Sequence, residues 1–328
     1  MKERIGVVGL GNWGTALANH LAWSGHQIIG WSVQPDVVSS INAQHRHCQC
    51  LTDIELHSSM RATGTLDELS SCSTLLIALP SAALSEVLPT LTFRPRAIVS
   101  AVKGLERTTL QTPLQYFSKV LGDTVSYTVI SGPSFAHDVA RRMPAGVVAA
   151  STHEDEARRI ATMFTTEWMR VYISTDTLGV ELGGIVKNVI ALAVGISDGM
   201  QLGDSARAML ITRGLAEIMR LGEALGAQGT TFMGLSGLGD LAMTATSDLS
   251  RNRQVGLRLG RGEALSDIIS SLGSVAEGVA TSRVVSSLAR THGIEMPITD
   301  QVAAVVDGRI TPIEAVRALI TRPLRREF

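Results

Sequence analysis

Gly9-Leu10-Gly11-Asn12-Trp13-Gly14 follows a short apolar run of Ile5, Val7 and Val8 and leads into residues 15–22, which read as a helix. A strand, a glycine turn and a helix in that order define the start of a dinucleotide-binding α/β domain. Gly9 permits the tight turn, Gly11 lets the backbone approach a pyrophosphate, and Gly14 lets the helix pack on the strand. The helix N-terminus then offers free N–H groups and the positive end of its dipole to phosphates. NAD or NADP is the cofactor these features call for. Lys2 and Arg4, with Ala16-Leu17-Ala18 further on, also sketch a secretory signal. Gly9, Gly11, Asn12 and Gly14 interrupt its apolar region, so the segment is read as part of the folded domain.

At 328 residues the chain suits two domains and can bury a substantial core. Its 29 basic and 30 acidic side chains nearly cancel, and no run of like charges marks a nucleic-acid or anionic-membrane surface. The longest apolar candidate for a membrane span, Leu182 to Gly195, is too short and carries Lys187 in its middle. Three cysteines make no disulfide framework, so a reducing cytoplasm is the expected location. Cys48 and Cys50 lie near His45, His47 and His57, but Cys-x-Cys is not a usual zinc spacing and no second ligand pair follows. No metal is expected, and the segment reads as a polar loop.

The first half alternates strand-like segments (residues 5–8, 27–31, 75–79, 97–101, 127–130 and 145–150) with helix-like ones (15–24, 36–44, 82–91 and 110–121). That alternation predicts a doubly wound parallel sheet of the Rossmann type, covered on both faces. Ligands of such sheets bind beyond the carboxyl ends of the strands. Gly9, Pro80, Lys103-Gly104 and Gly132-Pro133 all fall at those ends, so one cleft can collect them. After about Thr177 the pattern is helical throughout, with segments at 180–198, 206–225, 251–259, 281–291, 299–306 and 312–319. The expectation is an α/β chain with a dinucleotide-binding domain over residues 1–178 and an all-helical substrate domain over 179–328.

Lys187 is the only charged side chain between Leu182 and Gly195. Burial disfavours an ammonium and brings a lysine towards proton exchange, which a dehydrogenase needs beside its hydride carrier. A lysine snorkelling from a core helix to water fits the same spacing. Gly183 and Gly184, a turn earlier, would let substrate or cofactor approach that helix. Lys103 follows a strand and either contacts the substrate phosphate or the cofactor, or is a solvated loop cation. Ser131-Gly132-Pro133-Ser134-Phe135-Ala136 also follows a strand, with N–H and hydroxyl groups suited to a polar ligand. Ser250-Arg251-Asn252-Arg253 opens a helix and either cradles a phosphate dianion or is an ordinary exposed helix start. Asp240, in Gly237-Leu238-Gly239-Asp240, either caps a helix or binds a hydroxyl.

Taken in order, these segments resemble NAD(P)-dependent glycerol-3-phosphate dehydrogenase of the bacterial type, over nearly the whole chain from Gly6 to about Leu319. The resemblance also rests on Lys103-Gly104-Leu105-Glu106, the run from Leu182 to Ala191, Ile211-Thr212-Arg213-Gly214-Leu215-Ala216-Glu217 and Glu295-Met296-Pro297-Ile298-Thr299. It implies reversible reduction of dihydroxyacetone phosphate to sn-glycerol 3-phosphate, a precursor of phospholipids. By the same resemblance Lys187 is the catalytic proton donor and acceptor. Lys103, Gly132, Ser134, Asp240, Ser250, Arg251 and Asn252 surround the substrate. Gly9, Gly11, Asn12, Trp13, Gly14, Lys103, Ala136, Arg251, Val275 and Glu277 line the cofactor. A homodimer is implied; a nucleic-acid partner and membrane insertion are not.

The chain departs from the family pattern in three places. Trp31 is followed by Ser32, Val33 and Gln34, with neither an acid for the ribose 2′-hydroxyl of NAD nor an arginine for the 2′-phosphate of NADP, so cofactor preference stays open. Residues 42–56 lack the usual Tyr-Leu-Pro, and Val279-Ala280-Thr281-Ser282 replaces a stretch where an aromatic residue and an Asn are common. Two other readings remain: a related dehydrogenase acting on a carboxylate substrate, and a nucleotide-binding redox sensor that does not turn over.

Overall fold

The computed structural model describes residues 2–272, 276–324 and 326–327. Its first strand, β1 (Arg4–Val8), lies inside an eight-stranded sheet, since Ile5, Val7 and Val8 are wholly buried and need cover on both sides. The other strands are β2 (Gln27–Trp31), β3 (Met60–Thr63), β4 (Thr74–Ile77), β5 (Ala97–Ser100), β6 (Ser126–Ser131), β7 (Ala145–Ala150) and β8 (Met169–Ser174). They run in the order β3-β2-β1-β4-β5-β6-β7-β8. Every neighbouring pair is parallel except β6 and β7. The expected all-parallel sheet is therefore corrected at one seam. Antiparallel neighbours need no helical crossover, and the connection from Ser131 to Ala145 carries only a five-residue helix.

The helices of this half are α1 (Asn12–Trp23), α2 (Pro35–Gln44), α3 (Leu84–Val87), α4 (Pro113–Leu121), α5 (Ala136–Ala140) and α6 (Glu154–Phe164). Leu17 and Leu21 of α1, Ile5 and Val7 of β1, Ile28 of β2 and Phe164 of α6 share one buried core. The helix expected over residues 82–91 is broken: α3 is flanked by 3-10 turns at Ser81–Ala83 and Leu88–Thr90, the second opened by Leu88-Pro89. A proline just inside the segment removes an N–H that a continuous helix would use.

The chain divides into two compact units, Met1–Glu181 and Leu182–Phe328, not at Leu178. The cause lies in α7 (Thr177–Gly199), whose first turn still belongs to the sheet-bearing unit. There the Glu181 carboxylate accepts the Leu114 N–H at 2.8 Å. α7 is long and apolar enough to cross a membrane by length and composition, and its most apolar window is entirely buried within the protein. It is longer than the apolar stretch from Leu182 to Gly195, and its two ends are partly exposed.

The second unit continues with α8 (Asp204–Ala224), α9 (Asp240–Thr246), α10 (Arg251–Gly260), α11 (Leu265–Leu272), α12 (Glu277–Thr291), α13 (Pro297–Val306) and α14 (Pro312–Ile320). Packing of α7 on α10 uses glycine on both sides: Gly195 and Gly199 face Arg253 and Leu257, while Gly256 and Gly260 face Leu192 and Ile196. At each of the four positions a Cβ would overlap a carbonyl oxygen of the opposite helix. Bare backbone in contact with bare backbone fixes where the N-terminus of α10 stands relative to α7.

Candidate active site

In the sheet-bearing unit the three fingerprint glycines have separate physical tasks. Gly9 has a φ of +102°, and a Cβ there would sit 2.8 Å from the Ala78 carbonyl oxygen. Gly14, in the first turn of α1, allows no side chain because a Cβ would overlap the Gly9 carbonyl. At Gly11 a Cβ would meet nothing within 4 Å. So two glycines serve the packing of turn and helix, and the third leaves an open approach to the backbone. Gly11 is the N-cap of α1 with no capping side chain, and no acid occupies the first turn. The first N–H groups of the helix are thus left for an anion. Asn12 is exposed, and the buried Nε1 of Trp13 has no partner among the described residues. An open backbone, an uncapped helix and an orphan indole donor fit a dinucleotide pyrophosphate.

The carboxyl ends of β1, β4, β5 and β6 stand side by side in the sheet and point the same way. Gly9, Pro80, Lys103 and Gly132 therefore fall along one edge. Lys103 is half-buried in the loop after β5. Gly132 has a φ of +154° and lies against Gly146 and Val147 of β7. Ser134 turns its hydroxyl back to donate to the Gly132 carbonyl at 3.0 Å. Ala136 is the first residue of α5. After β2, Trp31 donates its indole N–H to the Gly64 carbonyl at 3.1 Å, and Ser32 accepts the Gln34 N–H at 3.2 Å.

The helical unit holds a buried ion pair. Lys187 is 4% exposed and Asp240 is 0% exposed. The Lys187 ammonium pairs with Asp240 Oδ1 and donates to Thr244 Oγ1 at 2.8 Å, and the Thr244 hydroxyl lies 3.3 Å from the same carboxylate oxygen. Lys187 does not snorkel to water. The carboxylate partner offsets the cost of burying the lysine, since an unpaired buried charge would cost several kcal/mol. Gly183 departs from the expectation that it admits a ligand. A Cβ there would lie 2.6 Å from the Ser236 carbonyl oxygen, so the gap is filled by the turn Leu235–Gly239, which delivers Asp240 to the lysine.

Ser250 caps α10, its buried hydroxyl accepting the Arg253 N–H at 3.3 Å. Arg251 is exposed and makes no side-chain hydrogen bond among the described residues. Asn252 donates to Asn188 Oδ1 at 2.8 Å and accepts the Gly278 N–H at 2.9 Å, joining α7, α10 and α12. Glu277 opens α12, and Val275 lies outside the described residues. The neighbouring Arg253 is turned inward, with Asp198 at 2.7 Å and Asp248 as its partners.

Sequence reasoning missed Thr244 and Asn188. Thr244 stands one turn after Asp240, and Asn188 follows Lys187 directly, so helical spacing from the named residues was the available signal. It also missed Glu217 of α8, whose carboxylate accepts the N–H groups of Ile298 at 2.6 Å and Thr299 at 3.1 Å and so caps α13. Burial pushes Glu217 up to about 7 against the pull of those bonds, and burial likewise pushes Glu181 up to about 7. In the polar loop, His57 bonds Ser59 within its own turn, while His47 is buried and bonds the Leu10 carbonyl of the glycine turn.

Comparison with known proteins adds a family to this geometry. Residues 4–157 match the family model of the NAD-dependent glycerol-3-phosphate dehydrogenase N-terminus, and residues 176–317 match that of its C-terminus. The glycerol-3-phosphate dehydrogenase (NAD(P)+) of Nitratidesulfovibrio vulgaris is 48% identical over 332 residues, covering 99% of this chain and 100% of that protein. The protein of the same name from Citrifermentans bemidjiense is 44% identical over 333 residues, covering 100% and 99%. A crystal structure of glycerol-3-phosphate dehydrogenase from Coxiella burnetii superposes with a TM-score of 0.92 at 37% identity, covering 98% of this chain and 99% of that one. The chain belongs to the NAD-dependent glycerol-3-phosphate dehydrogenase family.

Proposed function

We propose that this chain reversibly reduces dihydroxyacetone phosphate to sn-glycerol 3-phosphate with NAD(P)H, feeding phospholipid synthesis. The observation that carries the reading is the Lys187 ammonium, buried in an apolar helix and gripped by Asp240 and Thr244. When bound, the nicotinamide supplies the hydride for reduction and accepts it in the reverse direction. Lys187 gives its proton to the substrate carbonyl oxygen in reduction and takes the hydroxyl proton in oxidation. Asp240 balances the ammonium charge, and with Thr244 it fixes where Nζ stands.

The phosphate of the substrate is assigned to the start of α10, where Ser250, which caps the helix, is followed by Arg251 and Asn252. Lys103, Gly132 and Ser134 complete the substrate contacts. The cofactor is assigned to Gly9, Gly11, Asn12, Trp13, Gly14, Lys103, Ala136, Arg251, Val275 and Glu277. Neither an acid nor an arginine follows Trp31, so the reading includes both NAD and NADP. Three free cysteines suit a reducing cytoplasm.

The test is oxidation of NADH and of NADPH by the purified chain with dihydroxyacetone phosphate, run beside 2-oxo and 3-oxo acids. Turnover with the phosphate ester alone is expected. Preference for an oxo acid would move the reading to a carboxylate dehydrogenase, and tight NADH binding without any turnover would move it to a sensor.

A further inference from the structure

His47 sits in the loop after α2, in the segment that carries the extra histidines and cysteines. The residue is 2% exposed. Nδ1 accepts two backbone N–H groups, from Gln49 and Cys50, each at 3.1 Å. An Nδ1 that accepts is unprotonated, so the ring hydrogen of the neutral imidazole lies on Nε2. Nε2 in turn donates to the Leu10 carbonyl oxygen at 2.8 Å. Leu10 is the residue between the first two fingerprint glycines.

The Leu10 carbonyl and the Gly11 N–H belong to one peptide plane. No peptide bond among the described residues is cis, so these two groups point in opposite directions. Holding the carbonyl against His47 therefore aims the Gly11 N–H away from it. That N–H donates to no group among the described residues, and the space beside Gly11 is open. The loop that carries His47 is itself tied down. Gln49 Nε2 donates to Asp36 of α2 at 2.9 Å, and the Leu56 N–H donates to the His45 carbonyl at 2.8 Å.

We infer that His47 is a positioning residue for the cofactor: it clamps the Leu10–Gly11 peptide so that the Gly11 N–H faces the pyrophosphate. This rests on the NAD(P) reading above. An N–H already aimed before binding loses no conformational freedom when the anion arrives, so the clamp acts on affinity. It acts on the pyrophosphate half of the cofactor.

The experiment is titration of the full-length protein with NADH, and competition by ADP-ribose, which has the pyrophosphate but no nicotinamide. His47→Leu removes the donor and the acceptor. It is expected to raise Kd for both ligands by roughly tenfold, with KM for dihydroxyacetone phosphate unchanged at saturating cofactor. His47→Gln keeps a side-chain donor of similar reach and should recover most of the affinity. A folded His47→Leu protein that binds both ligands like the unmodified chain would overturn the inference, even if its Tm fell. Should His47→Leu not fold, 15N-histidine NMR of the unmodified protein decides. The His47 Nε2–H signal, assigned by its loss in His47→Gln, should exchange more slowly once ADP-ribose is bound, and unchanged exchange overturns the clamp. Failure of the unmodified protein to bind NADH at all would instead sink the functional reading.

Discussion

Lys187 and Asp240 are both buried, and each offsets the charge of the other. Lys187→Ala is expected to lower kcat by about 10²–10⁴-fold, the usual worth of a proton-transfer group, with a modest loss of NADH affinity. Near-normal kcat in a rapid-mixing assay would remove the base assignment. Asp240→Ala removes the carboxylate of a buried ion pair in the helical unit and should cost about 3–5 kcal/mol in urea unfolding. Arg251 is the opposite case, exposed and unengaged among the described residues. Arg251→Ala should raise KM for dihydroxyacetone phosphate by roughly tenfold or more, as loss of a charge-assisted bond to phosphate does. Its effect on NADH affinity should be far smaller, and equal weakening of both would make the cofactor contact, not the substrate phosphate, its main role.

At the level of helices, the contact between α7 and α10 is held by backbone on backbone. Gly256→Ala would drive a methyl into the Leu192 carbonyl, which overpacking data put at about 1–3 kcal/mol. Because α10 carries Ser250, Arg251 and Asn252 at its start, the same change should raise the substrate KM, whereas a loss of stability alone would leave KM intact. Glu217 joins α8 to the N-terminus of α13, with burial lifting its pKa from 4.5 to about 7. Between those values the folded protein keeps a proton that the unfolded chain has released. Stability therefore falls as pH rises through that window, by up to about 1.4 kcal/mol per pH unit for this group. Glu181 adds a slope of the same sign. Glu217→Gln should flatten this dependence in urea titrations at about pH 5 and about pH 7; an unchanged slope would assign it elsewhere.

For the molecule as a whole, a notable exposed feature of the helical unit is an apolar groove of about 250 Å³ lined by Leu202, Met209, Val302, Val316 and Ile320. Contiguous exposed apolar surface marks protein, membrane or ligand contact sites. If the partner is a second copy, sedimentation should give twice the chain mass, and Met209→Glu with Ile320→Glu should halve it. A monomer at micromolar concentration would reject that assembly. Much of the sheet-bearing unit was legible because its central strands are unbroken apolar runs and its glycine turn has fixed spacing. The edge strands β3 and β8 were not. Met60-Arg61-Ala62-Thr63 and Met169-Arg170-Val171-Tyr172-Ile173-Ser174 mix polar and apolar residues because one side of each edge faces solvent. α6 was overlooked although Ala157, Ile160, Ala161 and Phe164 carry a helical stripe.

The sequence by itself determined the class of chain, the dinucleotide turn and the isolated lysine, since each is written in residue type and local spacing. It could not say what stands against a residue. Gly183 looks the same whether its missing Cβ admits a ligand or, as found, the turn leading to Asp240. His47 looks like a metal ligand or a loop residue until its ring is seen bonded to Leu10, 37 positions earlier. Thr244 reaches Lys187 across 57 positions. Local propensity and periodicity act over a few residues, whereas these pairings exist only once the chain has closed on itself.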